Sequence, residues 1–153
     1  MIQDTRLHRS MARAVAIVGV GVLASAGVAL AAQPKKGASY SGTFKGMASD
    51  TVSFKVSANG RKVSGFAIPN PPAGCQGGGF GSASGGTATV SKQGTFKVTL
   101  SLVFAPAHRT NGTVVVSGKF GKHGTESGKI SSAFTNKAFP ASCNASVTYS
   151  AKS

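Results

Sequence analysis

Apolar and polar residues alternate with a period of two along most of this chain, and that pattern constrains the fold more than any other feature. The clearest run, Phe96 to Phe104, places Phe, Val and Leu at every second position, with Lys97, Thr99 and Ser101 between them. Residues 114–120 and 143–151 repeat the pattern. Successive side chains of a β-strand point to opposite faces, so each run predicts a strand with one apolar and one solvated face.

No stretch with the spacing of an amphipathic helix separates these runs. The chain has 153 residues, which suits one small domain, and its 21 Gly disfavour a helical bundle because Gly weakens helix interiors. Further strands are predicted at 40–46, 52–56, 63–68, 87–91 and 126–134. We therefore predict an all-β fold of about eight short antiparallel strands in a meander, which forms either a small barrel or a sandwich.

The dipeptide Asn59-Gly60 follows the strand at 52–56 and predicts a two-residue hairpin turn with positive φ at both positions. Pairing across that turn sets Val56 opposite Val63. In unbroken register Phe66 and Ile68 would face solvent. We therefore predict a β-bulge at Ser64 and Gly65, which returns both side chains to the core.

Pro and Gly are concentrated between Pro69 and Gly86, and this composition predicts the longest loop of the chain, without a regular element. Phe80 lies in the middle of the Gly run. It either fills the core or lies exposed at a binding surface, and the sequence leaves both roles open.

The first 31 residues have the layout of a secretory signal peptide. Three Arg residues precede an uncharged run at 14–32, and Ala29-Leu30-Ala31 fits an A-x-A cleavage site. The alternative is an uncleaved anchor, since 19 uncharged residues approach the roughly 20 that span a bilayer. We predict a signal peptide at 1–31, a flexible lead-in at 32–38 and a single β domain at 39–153, with the mature product secreted or otherwise extracytoplasmic and no membrane span left after cleavage.

Only two cysteines are present, Cys75 and Cys143. In an exported protein a single disulfide between them is the expected state. Closing a loop of this length would stabilise the fold by roughly 4 kcal/mol on the chain-entropy model.

Several short motifs occur in an order that resembles a known group of proteins. They are Tyr-Ser-Gly-Thr at 40–43, Ser-Phe-Lys-Val-Ser at 53–57 followed by Asn-Gly, a mid-chain Cys, Gly-Lys-Phe-Gly at 118–121, Ser-Gly at 127–128, and Cys-x-x-x-Val-x-x-x-Ala at 143–151. In this the chain resembles small secreted all-β proteins of unknown function from high-GC soil bacteria. The resemblance implies export, the disulfide and the β fold, and it implies no catalytic residues.

Catalytic groups are scarce. After removal of residues 1–31 the only acids are Asp50, predicted to lie in the first turn, and Glu126. Glu126 is close in sequence to His123 and Ser127, but a catalytic triad is normally assembled from separate elements. His108 and His123 without a third ligand type are a weak metal signal. We therefore expect a non-enzymatic protein with no metal and no other cofactor.

Charge is the strongest functional signal. The whole chain carries 17 basic and 3 acidic residues, and the mature part carries 14 and two, a net charge of +12. Because most of these residues are Lys, they favour diffuse attraction to polyanions over bidentate recognition. The positions that we expect to carry it are Lys55, Arg61, Lys62, Lys97, Lys119, Lys122 and Lys129.

Export and charge together favour an anionic cell-envelope polymer, or an acidic surface, as the partner. Nucleic acid is not expected, since binders of single strands expose aromatic residues among basic ones, whereas Phe54, Phe96, Phe104 and Tyr149 fall on apolar faces. The alternative is a small barrel that carries an apolar ligand in its interior. The oligomeric state stays open.

Overall fold

A computed structural model describes residues 32–74, 81–104, 109–136 and 139–153 of the chain, with the backbone alone at 109–111, 135–136 and 139–142. In these ranges the chain forms eight β-strands and one short 3-10 turn at Lys122–Gly124. The strands are β1 Ser39–Phe44, β2 Met47–Val56, β3 Lys62–Ile68, β4 Gly81–Thr89, β5 Thr95–Phe104, β6 Arg109–Phe120, β7 Thr125–Asn136 and β8 Phe139–Lys152.

The eight strands form a closed antiparallel barrel in simple sequence order, as each strand pairs with the next. β1 also pairs with β8, where Ser41 lies opposite Lys152 and Phe44 opposite Tyr149, and this seam closes the sheet. The predicted all-β meander is confirmed. Of the two architectures that the sequence left open, the barrel is the one formed.

The hairpin between β2 and β3 keeps the predicted pairing of Val56 with Val63 but has a longer turn than predicted. The Ser57 N–H donates to the Lys62 carbonyl at 2.9 Å, so the loop has four residues, and Gly60 has a positive φ of 77° whereas Asn59 does not. Asn59 instead accepts hydrogen bonds through its side-chain oxygen, which fixes the turn without a left-handed Asn.

The predicted bulge in β3 is confirmed. Lys55 pairs with Ser64 and Ser53 with Ala67, so β3 carries one extra residue there. Gly65 has a φ of 64°, which fits the glycine of a G1 bulge. Phe66 is consequently buried, as is Ile68 two residues later.

The prediction of a loop from Pro69 to Gly86 is wrong for its last six residues, because β4 begins at Gly81. The physical reason lies on the facing strand. A side chain at Gly86 would collide with Leu100, and one at Gly81 would crowd Leu102. Small residues on β4 therefore make room for large ones on β5, and the Gly-rich composition reflects packing inside the barrel.

Aromatic rings fill the barrel interior. Tyr40, Phe54, Phe66, Phe96 and Phe120 are all buried, and each ring has its centroid between 5.1 and 6.3 Å from that of at least two others. Phe54 is central and contacts the other four. Such ring pairs contribute about 0.5–1.5 kcal/mol each beyond the area they bury.

The segment that follows β3 crosses the barrel towards β7 and β8. The buried Ser132 hydroxyl on β7 donates to the Pro72 carbonyl, and Gly74 contacts the Asn144 backbone on β8. This brings residue 74 beside the neighbour of Cys143, which is itself buried.

Several sequence predictions lie outside the described residues. They are the signal peptide at 1–31, Cys75, Phe80 and His108. The predicted disulfide therefore stays a prediction. Within the described ranges no helix has the length and apolarity needed to cross a bilayer.

Candidate functional site

One end of the barrel gathers the lead-in, three turns and the C-terminus, and we call it the lead-in end. It consists of residues 32–38, the turns at 57–61, 90–94 and 121–124, and Ser153. Backbone hydrogen bonds join these segments: Gly37 N–H donates to the Ser57 carbonyl at 3.1 Å, and the Ser153 N–H donates to the Gly124 carbonyl at 3.1 Å. The lead-in, predicted to be flexible, buries Pro34 and donates from the Lys35 N–H to the Tyr40 hydroxyl at 3.1 Å.

The lead-in end is densely cationic. Its segments and the adjoining strand ends expose nine basic side chains: Lys35, Lys36, Lys55, Arg61, Lys62, Lys92, Lys119, Lys122 and Lys152. Five of the seven predicted positions are among them. The other four were not predicted, because positions in a lead-in, a turn or a strand end carry no periodic signal that would place them together.

The remaining two predicted positions, Lys97 and Lys129, lie on the outer wall. Lys97 pairs with Ser117, and Ser117 pairs with Lys129 on the next strand. The α-carbons of Lys97 and Lys129 are therefore two strand spacings apart, about 10 Å. Both side chains are exposed, and Lys119 lies two residues from Ser117 on the intervening strand. Of the seven predicted residues, Lys97, Lys119, Lys122 and Lys129 form one continuous cationic surface where β5 to β7 reach the lead-in end. The other three, Lys55, Arg61 and Lys62, lie on a second side of that end, at the hairpin between β2 and β3.

Neither acid of the described chain faces this surface. Asp50 lies on β2 near the opposite end, where it accepts a hydrogen bond from the Asn70 amide at 3.4 Å, so the prediction that it lies in a turn is wrong. The turn is made by Lys45 and Gly46 instead. Glu126 points into the barrel and is only 2% exposed. No acidic side chain of the described ranges therefore offsets the lysines.

Glu126 is the most unusual group of the interior. Its Oε1 accepts a hydrogen bond from the Tyr149 hydroxyl at 2.9 Å, and its Oε2 is buried without a protein partner. The carboxyl fits because Gly118 on β6 has no side chain, and one added there would overlap both Oε1 and the Phe96 ring.

The interior perturbs the acidity of both members of this pair. Burial raises the pKa of Glu126 from 4.5 to about 8, against the opposing hydrogen bonds from Tyr149 and from the Lys119 backbone. Burial also raises the pKa of Tyr149, and the neighbouring carboxylate raises it further. At neutral pH Glu126 is therefore mainly protonated, and the exposed lysines have no interior countercharge.

The catalytic groups considered from the sequence do not converge. Glu126 is buried, whereas His123 is exposed in the 3-10 turn with a φ of 57°. Ser127 points outward because it is adjacent to the inward Glu126 on β7. In the described part of the chain no three groups of the metal-ligating types are brought together.

The comparisons with known proteins give no match: no family model, curated protein or solved structure matches this chain.

Proposed function

We propose that this is an exported, non-enzymatic protein that binds anionic polymers of the cell envelope through the lead-in end. The observation that carries the proposal is the clustering of nine exposed basic side chains there, with no acidic side chain among the described residues of that surface. Lysines that served only solubility could be spread around the barrel and mixed with acids. Their concentration at one end instead creates a local positive potential that attracts a polyanion.

The filled interior favours surface binding over carriage of an apolar ligand. Phe54 stacks on Tyr40 with ring centroids 5.3 Å apart, and on Phe66 at 5.1 Å. A carrier of this size needs an internal space, whereas these rings occupy the centre of the barrel. The aromatic residues are also withdrawn from the basic surface, which argues against stacking on nucleic-acid bases.

The proposal includes the disulfide between Cys75 and Cys143. Cys143 is buried at 1% exposure, and Gly74, the residue before Cys75, contacts Asn144, the residue after Cys143. Two α-carbons must lie about 4.4–6.8 Å apart for a bridge, and adjacent neighbours in contact favour that separation. Intact-mass measurement before and after reduction tests it. A protein isolated from its natural compartment without the mass difference of two hydrogens would overturn the bridge.

The experiment for the binding proposal measures retention of the secreted protein on purified envelopes, with and without their anionic polymers, from 50 to 500 mM salt. Exposed charges become largely screened over about this range of salt. We expect retention that requires the polymer and falls steeply with salt. Retention that does not require the polymer, or that does not fall with salt, would refute the proposal.

Two variants of equal charge show which end binds. Lys119→Gln with Lys122→Gln neutralises two residues of the lead-in end, and Lys45→Gln with Arg109→Gln neutralises two at the opposite end. If each bound lysine releases about one counterion, as on other polyanions, the first variant lowers the slope of log affinity against log salt by up to about two. The second should leave the slope close to that of the unmodified protein. The same loss in both variants would show that net charge alone, and no particular surface, is responsible.

A further inference from the structure

A groove of about 470 Å³ opens at the lead-in end between three segments that are distant in sequence. Lys36 comes from the lead-in, Arg61 from the turn after β2 and Lys92 from the turn after β4, and all three side chains are exposed. The other lining groups are neutral, and they include Asn59 and Gln33. Three cations thus surround one concave space that has no acidic side chain in its lining.

The three cationic residues belong to backbone segments that are hydrogen-bonded to one another. The Gln33 side-chain amide donates to the Lys92 carbonyl at 2.9 Å, and the Val90 N–H donates to the Arg61 carbonyl at 2.8 Å. The aliphatic stem of Lys36 lies against Gly60, where an added Cβ would be 3.2 Å from its Cγ. The groove is therefore a preformed feature of the fold, and its three walls keep their positions when the lysine head groups move.

A neutral hydrogen-bond donor, the Asn59 side-chain amide, adds to the cations. The Asn59 Oδ1 accepts from the Ser57 hydroxyl at 2.7 Å and from the Arg61 N–H at 3.0 Å. Since the oxygen is used by the turn, the Nδ2 end of this amide is directed away from it and can donate to a ligand. A group held here therefore meets donors on several sides, which suits an acceptor-only anion.

We propose that this groove binds a phosphoryl group, and that it is the specific anchoring subsite within the broader basic surface. This inference rests on the proposed function and names the ligand chemistry. A phosphoryl group presents acceptor oxygens in a tetrahedral arrangement: three with about −1.5 to −2 charges in free phosphate or a monoester, and two with one charge in the diester of a polymer, whereas a carboxylate has one charge and two oxygens in a single plane. Three cations from three directions match the former. The planar fork of Arg61 can also bind two phosphate oxygens at once.

The phosphoryl group can belong to an envelope polymer or be free in solution, and both sources share the chemistry that the groove recognises. Inorganic phosphate and a poly(glycerol phosphate) chain are the two phosphate probes, and acetate and polygalacturonate are the matching carboxylate probes. Backbone amide NMR shifts locate each probe, and calorimetry at 150 mM salt gives its affinity. We expect phosphate to shift the amides of Gly60, Arg61 and Lys92, and acetate at equal ionic strength to leave them unchanged.

The variants separate the groove from the general charge. The groove variant carries Lys36→Gln, Arg61→Gln and Lys92→Gln. The control carries Lys45→Gln, Lys97→Gln and Lys129→Gln, which lie outside the lead-in end, so the two variants have equal net charge, and all six side chains are exposed. We expect the groove variant to lose at least 30-fold in affinity for poly(glycerol phosphate) and the control to lose less than 5-fold, with circular dichroism melting curves unchanged in both.

The outcomes distinguish the inference from the function on which it rests. Equal losses in the two variants, or equal affinity for polygalacturonate and poly(glycerol phosphate), would overturn the phosphoryl subsite while leaving polyanion binding intact. Absence of salt-dependent binding to every probe by the unmodified protein would overturn both. Phosphate-induced shifts confined to residues outside the groove would also overturn the subsite.

Discussion

Replacing Glu126 by Gln should make the stability of the barrel nearly independent of pH between about pH 4.5 and 8. Glu126 is 2% exposed, and among the residues that the structure describes Tyr149 is the titratable side chain that contacts it. Gln keeps the shape and can still accept the Tyr149 hydrogen bond, but it cannot ionise. The substitution therefore removes the linkage between folding and the proton of this carboxyl.

The sign of the pH dependence of stability follows from the raised pKa of Glu126. A Glu whose pKa is higher in the folded than in the unfolded protein stabilises the fold fully below the unfolded value, and this contribution is lost as pH rises through the folded value. The difference between 4.5 and about 8 corresponds to about 5 kcal/mol for a barrel that does not rearrange. At pH 7 about 3 kcal/mol of this has already been lost.

Urea unfolding followed by far-ultraviolet circular dichroism, at pH 4.5, 6, 7, 8 and 9, measures the effect, since the chain has no Trp for fluorescence. The quantity compared is the slope of unfolding free energy against pH, because the buried Gln amide also adds donors that lower stability equally at every pH. Asp50→Asn is the matched control, as it removes the other acid of the described residues, which is only half-buried near the opposite end of the barrel.

We expect the unmodified protein and the Asp50 variant to lose stability in parallel from pH 4.5 to 8, and the Glu126 variant to remain level relative to them. If the Glu126 variant kept the full slope, the buried carboxyl would not be the titrating group, and the reasoning from its burial would be refuted.

Three further substitutions test the packing around this pair and the ring cluster. Tyr149→Phe removes a hydrogen bond that lowers the pKa of Glu126, so the pH dependence of stability should extend to higher pH. Calorimetric proton uptake on folding checks this, and an unchanged profile of uptake against pH would contradict it. Gly118→Ala places a methyl group onto the Glu126 carboxyl and should cost about 2 kcal/mol or more in urea unfolding, whereas a neutral result would mean that β6 moves freely. Phe54→Ala should cost about 3–5 kcal/mol in the same assay, since its ring contacts four others, and a loss below about 1 kcal/mol would contradict a close-packed interior.

The strands and the bulge were predictable because their signals are local. Alternation over residues 96–104 gives β5 almost to the residue, and the conflict between Val63 and Phe66 in unbroken register requires one extra residue between them. The first six residues of β4 escaped prediction, because their inward positions include Gly81, Ala83 and Gly86, which produce no apolar periodicity. Their role becomes visible only when the large side chains of β5 are placed opposite.

The candidate site was predictable only in part, since it depends on contacts between distant segments. Lys36 lies beside Arg61 and Lys92 because the lead-in, which its composition predicted to be flexible, is hydrogen-bonded to the turns that carry them, through Gln33 to Lys92 and through Gly37 to Ser57. Glu126 was considered for its proximity to His123 in sequence, although it shares the alternation of the buried Ile130 on the same strand. The even spacing between Glu126 and Ile130 on one strand is the sequence signal that could have predicted a buried Glu126.

The seam between β1 and β8 also determines when the barrel can be completed. Every other strand pair joins neighbours in sequence and can form as soon as both have emerged, whereas Ser41 must wait for Lys152 at the far end of the chain. Until then the sheet has two open edges, and bringing its ends together carries the entropy cost of a long loop. During synthesis the sheet therefore keeps both edges unpaired until β8 has emerged, so the barrel cannot close before that strand is available.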